Sequence, residues 1–327
     1  MDTVTELPPP GPAWGGALMG VSIAATMTGI HVGTTAGAVV TVMAALVLLV
    51  LLLPLLPGAG RHGWATTDLP SWSMVTMGVL ALGSAADTTL GLTTVHQVTW
   101  VAGTVGSVAV FVPQVTCVVR GALPLTFRTA LPLVTPMVAA TNAAQLGHPL
   151  PAAVCFWASL AAGVPFFVLV YLAPARRPAG PSAATTWIPL GIVGQSSTAA
   201  LLVTDGSSLA GTGRLYAGAV LAVGVPAAGW ALWNHWGALL RTPPRQSLAT
   251  VGPAWWSATF PVGTCSLGTH QLAVATGTGW PDAVSAGLLG LLALHIALAT
   301  AGLAVRALPT GQRYVTSTGE WSLHRRS

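Results

Sequence analysis

Long apolar runs dominate this chain, and each is close to the length that a helix needs to cross a lipid bilayer. A helix crosses ~30 Å of hydrocarbon with about 20 residues. Only 6% of the residues are charged, against about 25% in a soluble domain, so this chain cannot cover a water-facing surface. The sequence therefore predicts an all-α membrane protein with ten spans, at 12–33, 36–57, 71–90, 93–119, 130–147, 151–173, 187–205, 212–240, 253–276 and 281–306.

The few charged residues alternate between the connecting loops. All 12 basic residues are arginines. Eleven of them lie at the end of an even-numbered span or beyond it, and only Arg214 follows an odd-numbered one. Because basic loops stay in the cytoplasm, we expect a multi-pass protein of the cell membrane with both termini cytoplasmic. The short outer loops then pair the spans into five helical hairpins.

This charge pattern divides the chain into three parts. We expect a cytoplasmic N-terminal segment at 1–11, a ten-helix transmembrane domain at 12–306 and a cytoplasmic tail at 307–327. No basic region precedes the first span, so that span is not the core of a cleavable signal peptide. No basic stripe is interleaved with aromatic side chains, which argues against nucleic acid as a partner.

Motifs of the common enzyme classes are missing from the sequence. It holds no GxxxxGK[ST] loop, HExxH helix, GxSxG elbow or CxxC pair. Cys117, Cys155 and Cys265 lie in apolar runs without the spacing of metal ligands. The centres of the spans also lack the Asp, Glu and Arg residues that mark ion-coupled transport. We therefore predict no enzyme activity, no cofactor and no metal.

Several spans are rich in small and hydroxyl-bearing residues, as in "IPLGIVGQSSTAALLV" at 188–203. One interpretation is close helix packing, which small side chains permit. The other is a water-accessible lining in which hydroxyl and amide groups replace the hydration of an ion. Gln195 followed by Ser196 favours the lining in this span, because these side chains are costly facing lipid.

Three stretches carry a resemblance to a known family. They are "MGVSIAATMTGI" at 19–30, "TWIPLGIVGQSSTAALLV" at 186–203 and "WWSATFPVG" at 255–263. They resemble the tellurite-resistance/dicarboxylate transporter family, which includes bacterial tellurite-resistance protein A, fungal malate permeases and sulfite-efflux proteins, and plant slow-type anion channels. The resemblance implies five hairpins around a central pore, with odd-numbered helices lining it and even-numbered helices outside. It also implies a homotrimer whose protomers each keep their own pore.

The "TFP" sequence within the ninth span receives its interpretation from this resemblance. The phenylalanine that plugs the pore in relatives falls on Phe260, and Pro261 would kink the helix so that the ring projects across the pore. A packing role is the alternative for any membrane phenylalanine. We expect the pore lining to include Ser257, Thr264, Gln195, Ser196 and Asn142.

The function implied is a gated anion channel, or a uniporter or exporter, for small anions such as C4-dicarboxylate, tellurite, sulfite, nitrate or chloride. Arg241 and Arg245 would concentrate anions at the cytoplasmic mouth, or would only set topology. The alternative is a proton-coupled carrier of dicarboxylate or oxyanion, in which His270 or His295 titrates during turnover. These histidines could instead form hydrogen bonds between helices. A membrane scaffold or enzyme is a third, less favoured class.

Cysteine labelling tests the ten-span topology. In a background without the three native cysteines, Thr34→Cys and His148→Cys should react with an impermeant maleimide added to intact cells. The same substitution at His62, Leu125, Pro178 or Pro244 should react only after the membrane is opened, because these positions lie in arginine-side loops. Labelling of the second group in intact cells would contradict the model.

Overall fold

A computed structural model describes residues 10–53, 63–173, 178–243, 248, 252–307, 314–315 and 321–322. Ten α-helices run through these described residues: α1 (Gly15–His31), α2 (Thr34–Leu52), α3 (Leu69–Leu90), α4 (Thr93–Val119), α5 (Leu131–Gln145), α6 (Pro149–Leu172), α7 (Ile188–Thr204), α8 (Ala210–Leu240), α9 (Thr259–Thr276) and α10 (Gly279–Ala307). Two short strands, Tyr314–Val315 and Trp321–Ser322, pair antiparallel.

Each helix falls on one of the ten predicted spans, which confirms the all-α membrane architecture. In the part of the chain that the structure describes, eight helical segments are long and apolar enough to cross a membrane. The other two helices are α5, with 15 residues, and α9, which carries Thr, Ser, His and Gln along its length. Neither needs a fully apolar surface, because both are largely buried against other helices.

Some predictions fall on residues that the structure does not describe. They concern the N-terminal segment up to residue 9, most of the tail, and the loop and tail arginines Arg61, Arg176, Arg177, Arg245, Arg313, Arg325 and Arg326. The limits of the N-terminal segment and the tail therefore stay predictions.

The odd-numbered helices form a closed ring. Helix α1 packs against α3, α3 against α5, α5 against α7, α7 against α9, and α9 returns to α1. Each even-numbered helix packs against the odd helix before it and against the next odd helix around the ring. The chain thus forms two concentric layers.

Burial separates the same two layers. Between 67% and 83% of the apolar windows of α1, α3 and α7 are buried, against 17% to 33% for the even-numbered helices. The even helices present large exposed apolar side chains such as Val98, Val105 and Leu215. Apolar side chains on an outer helix suit contact with lipid, so the even helices face the bilayer and the odd helices form the interior.

Glycines bring α9 unusually close to both of its neighbours. A Cβ atom built on Gly194 of α7 would lie 2.3 Å from the carbonyl carbon of Thr264 and 2.4 Å from the amide nitrogen of Cys265. On the other side, a Cβ atom on Gly20 of α1 would lie 2.1 Å from the Thr259 hydroxyl oxygen. Only glycine permits these contacts, because any side chain would force the backbones apart.

The hairpins give the bundle two ends of different character. The end where the odd helices begin carries Arg120, Arg128, Arg241 and Arg306 and is called the arginine end below. Three-10 helices at Pro12–Trp14, Arg128–Ala130, Gly180–Trp187 and Pro253–Ala258 lead into α1, α5, α7 and α9 at this end. The opposite end holds Arg214 and the tight connections within the hairpins.

A glycine substitution tests the close packing of α7 against α9. Gly194→Ala should destabilise the protein by about 1–3 kcal/mol, because the methyl group meets backbone atoms that cannot rotate away. The matched control is Gly218→Ala in α8, where a Cβ atom meets nothing within 4 Å. It should be neutral or slightly stabilising, since alanine favours helix. Thermal unfolding in detergent compares the two, and equal unfolding temperatures would contradict the packing argument.

Candidate functional site

The ring narrows to an apolar constriction on its axis. The cavity there has a volume of only about 20 Å³, close to the space of a single water molecule. All five odd helices contribute to its wall, which consists of Met19, Met74, Met77, Leu131, Val134, Ile188, Gly191, Phe260 and Pro261, with Ser257 from the 3-10 helix before α9. The wall offers almost no polar partner, so a hydrated ion cannot pass this point.

Phe260 lies at the constriction because of where α9 contacts its neighbours. Thr259 packs against α1, and the backbone at Thr264 and Cys265 packs against α7. At 100° per residue, Phe260 falls between these two directions and so faces the ring axis. Its side chain is only 3% exposed.

Pro261 is the third residue of α9. The first N–H groups of an α-helix have no acceptor within the helix, so proline there removes no helical hydrogen bond. The structure thus places Pro261 in the first turn of a helix, and not within a longer helix that it would kink. The 3-10 helix Pro253–Ala258 leads directly into α9 at this point.

A wider cavity opens from the constriction toward the arginine end. Its volume is about 280 Å³, and it shares Met74, Leu131 and Ser257 with the constriction. Arg128 lies in its wall, and one terminal nitrogen of the guanidinium donates to the Ser71 hydroxyl at 3.1 Å. This cavity, called the mouth below, therefore carries a positive charge and adjoins the constriction that holds Phe260.

Arg241 does not line the mouth. It lies in the wall of a separate cavity of about 400 Å³, beside Asn234, His235 and Trp255. Of the two roles expected for Arg241, this position favours setting the topology over concentrating anions in the mouth, because the last residues of α8 lie outside the ring. Arg245, its predicted companion, is outside the described residues.

Beyond the constriction, the same helix faces turn polar. Gln195 lies four residues after Gly191, and Thr264 lies four residues after Phe260, so each shares a face with a constriction residue. On α1, Ser22 and Thr26 follow Met19 by three and seven residues. All of these polar side chains are buried. Helical geometry thus places a polar layer directly after the apolar one.

Hydrogen bonds hold two side chains of this polar layer, Gln195 and Thr264. The Thr141 hydroxyl of α5 donates to Gln195 Oε1 of α7 at 2.8 Å, which joins two neighbours in the ring. The Thr264 hydroxyl donates to the Pro261 carbonyl at 2.9 Å. The buried Ser22 hydroxyl has no hydrogen-bond partner among the described residues. A buried polar group without a partner indicates a place for water or for a passing solute.

The other two predicted lining residues form hydrogen bonds with outer helices. The Ser196 hydroxyl interacts with Tyr216 of α8, in the outer layer. The Asn142 amide nitrogen donates to the Val138 carbonyl at 2.8 Å, and its oxygen lies 2.8 Å from Nε2 of His96 on α4. Both residues thus form contacts within a helix or between helices. Of the five predicted lining residues, Ser257 lies in the constriction wall, and Gln195 and Thr264 each lie one helical turn beyond a constriction residue.

The histidines of the carrier alternative lie away from the axis. His295 of α10 accepts a hydrogen bond from the Trp236 indole at 3.1 Å, and its other nitrogen lies 3.3 Å from the Ala258 carbonyl oxygen. His270 Nδ1 lies 2.7 Å from Asp282 Oδ1 at the end opposite the arginines. Both form contacts between helices.

Comparison with known proteins assigns the chain to a family. The model of the SLAC1 family, described as voltage-dependent anion channel, matches residues 11–304. The chain belongs to this family. The match covers all ten helices almost completely, and it confirms the resemblance drawn from three short stretches. No curated protein matches the chain.

Membership of the SLAC1 family makes the chain one of a group of anion channels and transporters.

Sequence reasoning missed most of the constriction. Its residues Met19, Met74, Met77, Leu131 and Ile188 look like ordinary packing residues in an apolar run. The available signal was helical spacing: Met74 and Met77, like Leu131 and Val134, stand three residues apart near the start of an odd-numbered helix.

The mouth arginine provides a test of electrostatics. Arg128→Gln should lower anion flux roughly two- to fivefold at low salt, because a unit charge about 10 Å away changes the energy of an anion by a few tenths of a kcal/mol or more. The difference should shrink as salt rises. Arg241→Gln is the matched control, with the same change at the same end but outside the mouth, and equal effects of the two variants would contradict the assignment.

Proposed function

We propose that this chain conducts small anions through the ring of odd-numbered helices, and that Phe260 gates the path. The observation that carries the proposal is the constriction: one cavity of about 20 Å³, walled by all five odd helices, with Phe260 in its wall. The substrate belongs to the class of small anions, such as a C4-dicarboxylate, tellurite, sulfite, nitrate or chloride.

The order of layers along the axis supports selection by charge and size. Arg128 raises the local concentration of anions in the mouth. The apolar constriction stops them while Phe260 is in place, since an ion pays a large free energy to leave its hydration shell in an apolar passage. In the polar layer, the Ser22 hydroxyl and the Gln195 amide group then offer neutral donors to an anion that has passed the gate.

Passive conduction is favoured over proton coupling. A coupled carrier needs a titrating group that the solute or its pathway contacts during turnover. His270 and His295 do not line the constriction or the mouth. We therefore expect flux in liposomes to follow the membrane potential and to be unaffected by a pH gradient, and flux that requires a proton gradient would favour the carrier instead.

The proposal also covers the number of chains in the assembly and the orientation of each chain in the membrane. We propose a homotrimer, as the family resemblance implies. Each protomer keeps a complete pore, because the ring closes within one chain. Both termini lie in the cytoplasm if the arginine end faces inward, as the positive-inside rule requires. Native mass spectrometry of the purified protein in detergent measures the number of chains.

Truncation of Phe260 tests the gate. Phe260→Ala should raise anion conductance in reconstituted liposomes, because it removes the bulkiest side chain of the constriction wall. Phe260→Leu should give an intermediate conductance, and Phe260→Trp should leave the path closed. If Phe260 only packs, alanine instead costs ~3–5 kcal/mol of stability and adds no flux.

The control is Phe166→Ala, which truncates an equally buried phenylalanine of the outer helix α6. It should destabilise the protein without raising flux. A folded Phe260→Ala protein with flux at or below that of the parent would remove Phe260 as the gate.

A further inference from the structure

Three metal-ligating side chains meet at the end opposite the arginines. His31 is the last residue of α1, His270 lies on α9, and Asp282 lies in the first turn of α10. One ligand atom from each lies within 4.8 Å of the others. His31 precedes both His270 and Asp282 by more than 230 residues. It meets them only because α1 packs against α9 where the ring closes.

Hydrogen bonds between α9 and α10 support this cluster. Ser266 of α9 and Ser285 of α10 exchange two bonds, each from a hydroxyl to the other residue's carbonyl at 2.7 Å. His31 Nε2 lies 2.8 Å from the Ser285 hydroxyl oxygen, and the His31 and His270 rings meet edge to face at 5.6 Å. These contacts and the one between His270 and Asp282 keep the two imidazoles close to Asp282.

The chemistry of the three groups fits a divalent transition metal. Two imidazole nitrogens and one carboxylate oxygen form a common zinc ligand set that leaves one position open for water. Ligand atoms of a tetrahedral zinc site lie about 3.3 Å apart, so side-chain rotations alone could convert the present spacing. The His270 and Asp282 side chains are 20% and 48% exposed, which leaves a path from solvent.

We propose that His31, His270 and Asp282 bind one Zn²⁺ ion at this end of the bundle. The ion joins α1, α9 and α10 at the point where the ring closes. Because α9 also carries Phe260, bound zinc restrains the helix that holds the gate, and we expect zinc to reduce conductance. This last effect rests on the proposed function, whereas zinc binding itself does not.

Calorimetric titration of the purified, tag-free protein in detergent with ZnCl₂ tests the site. We expect one Zn²⁺ per chain, and Mg²⁺ should not bind, since it prefers oxygen ligands and keeps its waters. Asp282→Asn and His270→Gln should each weaken zinc binding by roughly 10- to 100-fold or more, the range seen even for residues behind the ligands. Elution as a single species on size exclusion shows that each variant is folded.

The matched control is His148→Ala. His148 is another partly buried histidine at the same end, where it stacks on Trp100 outside the cluster. Its variant should bind zinc like the parent. Absence of binding in the parent, or equal affinity in the parent, Asp282→Asn and His270→Gln, would overturn the site.

Flux measurements separate this proposal from the gate. If zinc binds but Phe260→Ala adds no flux, the site stands and the gate fails. If Phe260→Ala opens the path but the parent binds no zinc, the gate stands and the site fails. If zinc binds with the expected variant pattern and still leaves the conductance of the parent protein unchanged, that result overturns only the claim that bound zinc restrains α9, and the binding site stands.

Discussion

The central ring depends on how closely α9 approaches α1 and α7. Lipid tails are as apolar as the helices, so helices in a bilayer associate through van der Waals contact and hydrogen bonds, and both need short distances. Gly20 and Gly194 supply those distances on the two sides of α9. With both sides set, α9 has only one orientation about its axis, and that orientation turns Phe260 toward the centre.

The layers along the axis follow from what each environment tolerates. The mouth opens to water and accommodates the Arg128 charge. The constriction is apolar and narrow, so it excludes solvent without needing a charged barrier. The next turn carries buried hydroxyl and amide groups, and some of them pair between neighbouring helices of the ring, as Thr141 and Gln195 do. The Ser22 hydroxyl has no hydrogen-bond partner among the described residues, and a buried polar group of this kind indicates a place for water.

Histidines join the layers of the bundle to one another. His96 lies between Asp87 of α3 and Asn142 of α5, with ring nitrogens 3.1 Å and 2.8 Å from their oxygens. His235 accepts from the Trp187 indole at 3.1 Å, which ties α8 to the chain entering α7. Interhelical hydrogen bonds of this kind contribute about 0.6 kcal/mol each. Contacts of this kind give these histidines a structural role within a membrane chain.

The sequence by itself determined that the chain crosses a membrane, where its ten helices run and how they pair into hairpins. Length and hydropathy decide those features, because a bilayer leaves helices as the only way to satisfy the backbone. It also singled out Phe260 through the "TFP" motif. Only the tertiary structure decided which residues share the axis. Arg128 lies in the mouth and Arg241 does not, and Ser196 faces α8 while Gln195, one residue earlier, shares the face of the constriction residue Gly191. Neighbouring positions on a helix point 100° apart, so a pattern that is polar in several directions cannot tell which one faces the centre until the neighbours are placed. The zinc ligands depend on the same closure, because His31 meets His270 and Asp282 only when the first and ninth helices become neighbours.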